Sequence, residues 1–167
     1  MSRLMIYRVV SYALLPVGVV FGLVTLFALM IALGNVAMLL SVFLSGATVI
    51  YIFSSFGFLQ KGINRQQLCK GSFKDLIKVN AFVSLFFAIL GLMQGIMILL
   101  NPAATQILID NMKAMQPEAP QAVDSAKLMQ VMKVVLYFMI VLSSLLLFHI
   151  GSTFRYMKQY PDLFIKD

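Results

Sequence analysis

Three polar side chains, Asn80, Gln94 and His149, fall inside long apolar stretches, where a polar group is expensive. Leaving an amide or imidazole unpaired in such surroundings costs roughly 2–7 kcal/mol. Each therefore needs a partner, and intramembrane ionisable residues are functional candidates by default. His149 is the single histidine of the chain, and it lies about one turn before the end of its apolar stretch. A lone histidine there most often packs through hydrogen bonds or sits at the interface. A ligand or proton role is the sharper alternative. Gln94 falls between Gly91 and Gly95. Its amide should bond a Ser or Thr on a neighbouring helix as interhelical glue, with a substrate or ion contact as the other reading.

The remaining candidates for chemistry are sparse. Cys69 is the one cysteine, so no intrachain disulfide or CxxC centre can form. It lies in a basic loop beside an apolar run, where acylation is conceivable but an ordinary reduced thiol is the expectation. Haem held between helices needs two axial ligands, and one histidine cannot supply them. Proton-coupled antiport of the small multidrug type needs a carboxylate within a span. Here Asp75, Asp110, Glu118, Asp124, Asp162 and Asp167 all lie outside the apolar runs. No nucleophile elbow, phosphate loop, HExxH or dinucleotide turn is present. The residues propose no catalytic centre, no cofactor and no metal site.

The elements that must position these residues follow from composition. Of 167 residues, 61% are hydrophobic and 11% charged, whereas soluble domains run near 45–50% and 25%. A bilayer accommodates that excess. No Asp, Glu, Lys or Arg occurs from Val9 to Gln60, more than twice the roughly 20 residues that a spanning helix needs. Gly34-Asn35, two residues that tolerate left-handed backbone, divides the run into helices near 9–33 and 36–59. A cleaved signal peptide is disfavoured, because the apolar stretch is too long and cleavage would orphan the second helix.

A second charge-free run, Val79 to Ile109, is divided at Asn101-Pro102, which ends a third span near 76–100. Its helix should start near 73, with Ser72 to Asp75 as a capping box. The fourth span is near 131–154, and its helix should begin earlier because Pro120 suits a first helical position. Between them, Ala104, Ile107, Leu108, Met112 and Met115 space as one face of a short amphipathic helix. Gln116 to Pro120, with two prolines, should bend. The expected fold is all-α: a four-helix membrane bundle of two hairpins in one domain, 1–167.

Lys and Arg orient it. One side carries Arg3, Arg8, Lys61, Arg65, Lys70, Lys74, Lys78, Arg155, Lys158 and Lys166; the other carries Lys113, Lys127 and Lys133. The positive-inside rule puts the first side, with both termini, in the cytoplasm, in a plasma or inner membrane. The net charge of +7 is thus a topology signal and not a nucleic-acid surface. The basic loop 61–78 could also hold anionic headgroups, at roughly 1 kcal/mol per charge. Tyr51, Phe56, Phe58, Phe154 and Tyr156 should anchor the cytoplasmic interface.

Lipid is as apolar as leucine, so small residues that allow close backbone approach decide helix packing. The first helix has Gly18 and Gly22, then Thr25, Ala28 and Ala32. The second has Ser41, Ser45, Thr48 and Ser55. The third has Ala81, Ser84, Ala88, Gly91 and Gly95. These stripes should face one another within the bundle, or one GxxxG could meet a second chain. Pro16 should bend the first helix or mark its entry, with Ser11 and Tyr12 serving the freed backbone. The resemblance of Ser54 to Leu59 with Ser152 to Met157 hints at a duplicated hairpin, though cytoplasmic helix ends share such composition.

The leading functional expectation is a non-enzymatic accessory or scaffold subunit that associates with itself or a larger membrane complex through small-residue faces. The alternative is a small oligomeric transporter or channel with Gln94, Asn80 and His149 along a polar route. An enzyme acting on lipid is the remote third.

Overall fold

The computed structural model describes residues 3–115 and 125–165. They form five α-helices: α1 (Arg3–Ala32), α2 (Leu39–Gly57), α3 (Gly71–Leu100), α4 (Pro102–Met115) and α5 (Ser125–Gln159). A 3-10 turn, Val36–Met38, leads into α2, and a π-helical segment, Phe58–Asn64, continues it. Four stretches are long and apolar enough to cross a bilayer: Arg3–Ala32, Val36–Asn64, Gly71–Leu100 and Lys127–Gln159. Their most apolar windows are only 11%, 28%, 17% and 17% buried within the chain. Most of that apolar surface is therefore left for lipid to cover.

Helices α1, α3 and α5 extend past their charge-free segments. Helix α1 begins six residues before 9 and takes in Arg3 and Arg8, both exposed. Likewise α3 begins at Gly71 and α5 extends to Gln159. Charge marks where the hydrocarbon ends, but nothing in the flanking residues breaks the helix there. Ser72 falls in the first turn of α3. Pro16 sits inside an uninterrupted α1. The expected bend at 116–120 and the helix start at Pro120 lie outside the described residues.

The α1–α2 turn also differs from expectation. Among the described residues no glycine has a positive φ, and Gln66 is the non-glycine that does, at 55°. The turn is made instead by 3-10 bonds, Gly34 N to the Ile31 carbonyl and Asn35 N to the Ala32 carbonyl, both 3.1 Å. Asn35 then caps the next turn, its Oδ1 accepting from Ala37 N at 3.1 Å.

The chain divides into two compact units. The first comprises residues up to Ala88 together with those from Leu145 onward. In it α1 and α2 pack antiparallel along the small stripe. A Cβ on Gly18 would lie 2.8 Å from Ile52 Cγ2, one on Gly22 3.5 Å from Val49 Cγ1, and one on Gly46 3.9 Å from Thr25 Cγ2. Ala81, Ser84 and Ala88 of α3 are buried. Ring contacts join this part of α3 to its neighbours: Phe87 with Phe21 of α1 at 6.1 Å, and Phe82 with Phe154 of α5 at 5.6 Å.

At the charged end of this unit a short parallel β-pair, Cys69–Lys70 (β1) with Phe164–Ile165 (β2), ties the C-terminal segment to the loop before α3. Phe164 stacks on Phe58 at 5.4 Å, and Lys74 Nζ lies 5.0 Å over its ring.

The second unit, Ile89–Ser144, contains the rest of α3, all of α4 and the first part of α5. Here α3 approaches α5 at its glycines. A Cβ on Gly91 would sit 3.0 Å from Ser143 Oγ, and one on Gly95 2.9 Å from Ile140 Cγ1 and 3.8 Å from the Leu136 carbonyl oxygen. Helix α4 follows Asn101-Pro102 directly, with Asn101 Oδ1 accepting from Ala104 N at 3.3 Å. Its buried side is Thr105 and Ile109, one turn apart, while Ile107 points out at 60% exposure. Thr105 Oγ1 donates to the Ile98 carbonyl at 3.2 Å; of the expected face, the side chains of Leu108, Met112 and Met115 lie outside the described ones.

Candidate functional site

The polar chemistry of the first unit converges on His149. Helix α5 places His149 and Thr153 one turn apart, so both face the same way. Helix α1 supplies Tyr7 and Ser11 at the same spacing, and α2 supplies Tyr51. All five side chains are at most 1% exposed.

The contacts form a closed set. Ser11 Oγ lies 2.8 Å from His149 Nε2, and Tyr51 OH lies 2.8 Å from His149 Nδ1. Thr153 Oγ1 is 3.0 Å from Tyr51 OH and 3.2 Å from Tyr7 OH. Both small hydroxyls also bond backbone of their own helix: Ser11 donates to the Tyr7 carbonyl at 2.8 Å, and Thr153 to the His149 carbonyl at 2.9 Å. The Tyr7 ring stacks on the imidazole at 5.0 Å and 19°, with Tyr156 behind it at 5.0 Å. Tyr51 meets the imidazole edge-on, at 5.7 Å and 72°. Among the described residues no buried side-chain nitrogen or oxygen is without a hydrogen-bond partner. Such a network draws three helices together and admits no free polar end.

The other polar candidates do not join it. Asn80 Nδ2 donates to the Leu76 carbonyl of its own helix at 2.8 Å. Gln94 is exposed and belongs to the second unit, and it has no hydrogen-bond partner among the described residues. Gly18, Gly22, Gly91 and Gly95 all meet helices of this chain, and Ala81, Ser84 and Ala88 are buried in it.

In and around the cluster, the structure departs from what sequence alone predicts. Ser11 and Tyr12 were expected to serve backbone freed by Pro16. Instead Ser11 bonds His149, and Tyr12 OH accepts from Gln60 Nε2 at 2.6 Å. Tyr51, Phe58 and Tyr156 were expected as interfacial anchors, but they are 0%, 0% and 7% exposed. The signal that could have found them is a pair of one-turn spacings, Tyr7 with Ser11 and His149 with Thr153. Nothing in a linear sequence says which faces meet.

A second feature of this unit is an open groove of about 820 Å³, lined in part by Lys74, Asp75, Lys78 and Asp162. Its cations are already engaged: Lys78 pairs with Asp75 at 3.7 Å, and Lys74 covers Phe164. Cys69, beside it, is 6% exposed; burial pushes its thiol pKa up, and the Lys61 charge opposes that in smaller measure. No cluster of His, Cys, Asp and Glu that could hold a metal ion occurs among the described residues.

Comparison with protein-family models, curated proteins and solved structures returns no match.

Proposed function

We propose that the protein is a non-enzymatic accessory or scaffold subunit of a membrane, lying in the plasma or inner membrane with both termini in the cytoplasm. Its partners are the bilayer and either a second copy or a larger membrane complex, with no nucleic acid among them. The observation that carries this reading is the division of surfaces. The polar groups of the first unit close on one another, while residues such as Phe27, Met30, Ile31 and Phe43 stand 61–72% exposed on apolar helix faces. A rigid core under a broad apolar exterior suits a protein that works by lateral contact.

The contact surface is not the glycine stripes, since Gly18, Gly91 and Gly95 are each met by a side chain of this chain. It lies on the outward faces. Helix α4 belongs on the extracytoplasmic side in this reading, and the β1–β2 pair on the cytoplasmic side. A polar route through Asn80, Gln94 and His149 is not favoured, because Asn80 bonds its own helix and both ring nitrogens of His149 are engaged by Ser11 and Tyr51.

The test is in-cell crosslinking, then purification of the tagged protein in lipid nanodiscs with mass spectrometry of what accompanies it. A stoichiometric partner or a defined homo-oligomer is the expected result. A monomer that brings nothing with it overturns the proposal.

A further inference from the structure

Counting hydrogens in the His149 cluster leads beyond a packing role. The Ser11 hydroxyl has one hydrogen, which goes to the Tyr7 carbonyl, and the Thr153 hydroxyl has one, which goes to the His149 carbonyl. Both oxygens therefore face the cluster as acceptors. To bond Ser11 Oγ at 2.8 Å, His149 Nε2 must carry a hydrogen. To bond Thr153 Oγ1 at 3.2 and 3.0 Å, Tyr7 and Tyr51 must both donate to it. The one hydrogen of Tyr51 is then committed, so its oxygen meets Nδ1 at 2.8 Å as an acceptor, and Nδ1 must carry a hydrogen too.

The six contacts need six hydrogens. Four hydroxyls and a neutral imidazole hold five; four hydroxyls and an imidazolium hold six. With the ring neutral, Tyr51 turns its hydrogen to Nδ1 and gives up its bond to Thr153. A second observation points the same way: the Tyr7 ring presents its electron-rich face to the imidazole at 5.0 Å, a placement that favours a cation.

We propose that the cluster of Tyr7, Ser11, Tyr51, His149 and Thr153 is a proton-binding site. Its ligand is one hydron from water, which adds to the Nδ1 lone pair while the Tyr51 hydroxyl swings to Thr153. The resulting imidazolium donates Nε2–H to Ser11 and Nδ1–H to Tyr51. Uptake adds one positive charge, breaks no covalent bond of the protein and completes the hydrogen bonding between α1, α2 and α5.

The titratable groups facing the ring are Tyr7 of α1 and Tyr51 of α2, with Tyr156 of α5 behind Tyr7. The charged residues of α3, Lys74, Asp75 and Lys78, contact Phe164 and each other instead. No carboxylate is among the described contacts of the ring. The two hydrogen bonds and the Tyr7 face must therefore offset the cost of burying the charge.

One histidine in the chain makes the test site-specific. The full chain is labelled with nitrogen-15 histidine in lipid nanodiscs, and the two ring nitrogen shifts are followed from pH 8 to 3.5. At pH 8 Nε2 should be protonated and Nδ1 bare; on acidification Nδ1 should gain a hydrogen at a single midpoint, with helicity and the amide spectrum unchanged. Tyr51→Phe removes the Nδ1–H acceptor and should lower that midpoint by about one to two pH units. Ser11→Ala does the same from the Nε2 side and serves if Tyr51→Phe fails to fold. Tyr12→Phe, outside the cluster, should leave it in place. The proposal is overturned if Nδ1 stays bare while the protein stays folded, if protonation arrives only with loss of the folded spectrum, or if neither cluster variant moves the midpoint.

Discussion

At the scale of single residues, chemistry in this chain is governed by burial more than by residue type. Cys69 is a lone thiol in a basic loop, a setting that would ordinarily favour the thiolate. Its side chain is nonetheless buried, and burial outweighs the nearby Lys61 charge, so its pKa is raised. Alkylation of folded Cys69 by iodoacetamide at pH 7 should therefore be at least ~10-fold slower than that of a free cysteine, and should climb only at a higher pH than the free thiol requires. Linkage has the matching sign. A thiol pKa raised by folding contributes stability that is present below the unfolded value and is lost as pH rises through the folded one. Reactivity at pH 7 equal to that of free cysteine would show that the β1–β2 pair does not shield the thiol. Gln94 illustrates the same principle from the other side: an amide expected to bridge helices is exposed, because α3 turns Gly91 and Gly95 toward α5.

At the scale of elements, the glycines separate close approach from mere flexibility. A Cβ at Gly18 would come within 2.8 Å of Ile52 Cγ2, and one at Gly95 within 2.9 Å of Ile140 Cγ1. Both obstacles are isoleucines, branched at Cβ and held near the backbone, so neither can swing away cheaply. Gly18→Ala and Gly95→Ala should each destabilise by about 1–3 kcal/mol, read as earlier thermal unfolding in nanodiscs. Gly151 has nothing within 4 Å of a built Cβ. Gly151→Ala should be neutral or stabilise by about 0.5–1 kcal/mol, since alanine favours helix. If all three variants behaved alike, the stated α1–α2 and α3–α5 approaches would be wrong. The π-helical turn Phe58–Asn64 is the one long departure from α geometry in a described span. Gly62 lies in it under the Phe58 ring, 3.0 Å from a built Cβ, and Leu163 covers it at 3.5 Å.

At the scale of the whole molecule, the charge distribution makes an orientation prediction. Arg3, Arg8, the 61–78 loop and the C-terminal lysines carry most of the positive charge. Reporter fusions active only in the cytoplasm should be active at residue 1, within 64–69 and at residue 167, and silent at 34–35 and 116–120. Activity at either of the last two positions would reverse the topology, and with it the side assigned to α4.

The four long apolar helices were legible in the sequence because span length and hydropathy are local quantities: about 20 residues of low charge specify a crossing whatever surrounds them. The break at Asn101-Pro102 was legible for a similar reason, since proline acts on its immediate neighbour. Small-residue stripes were visible too, but not which helix would fill them. The start of α1 lies six residues before the charge-free run, at Arg3, because charge reports the edge of the hydrocarbon, not the end of hydrogen bonding. What only the tertiary structure decided was the meeting of Tyr7, Ser11, Tyr51, His149 and Thr153. Their contacts span 98 to 146 positions along the chain and depend on how three helices are rotated about their axes. Rotation is set by packing between helices, a property no stretch of sequence carries alone. It turned a lone histidine, two tyrosines and two small hydroxyls into one closed, buried network.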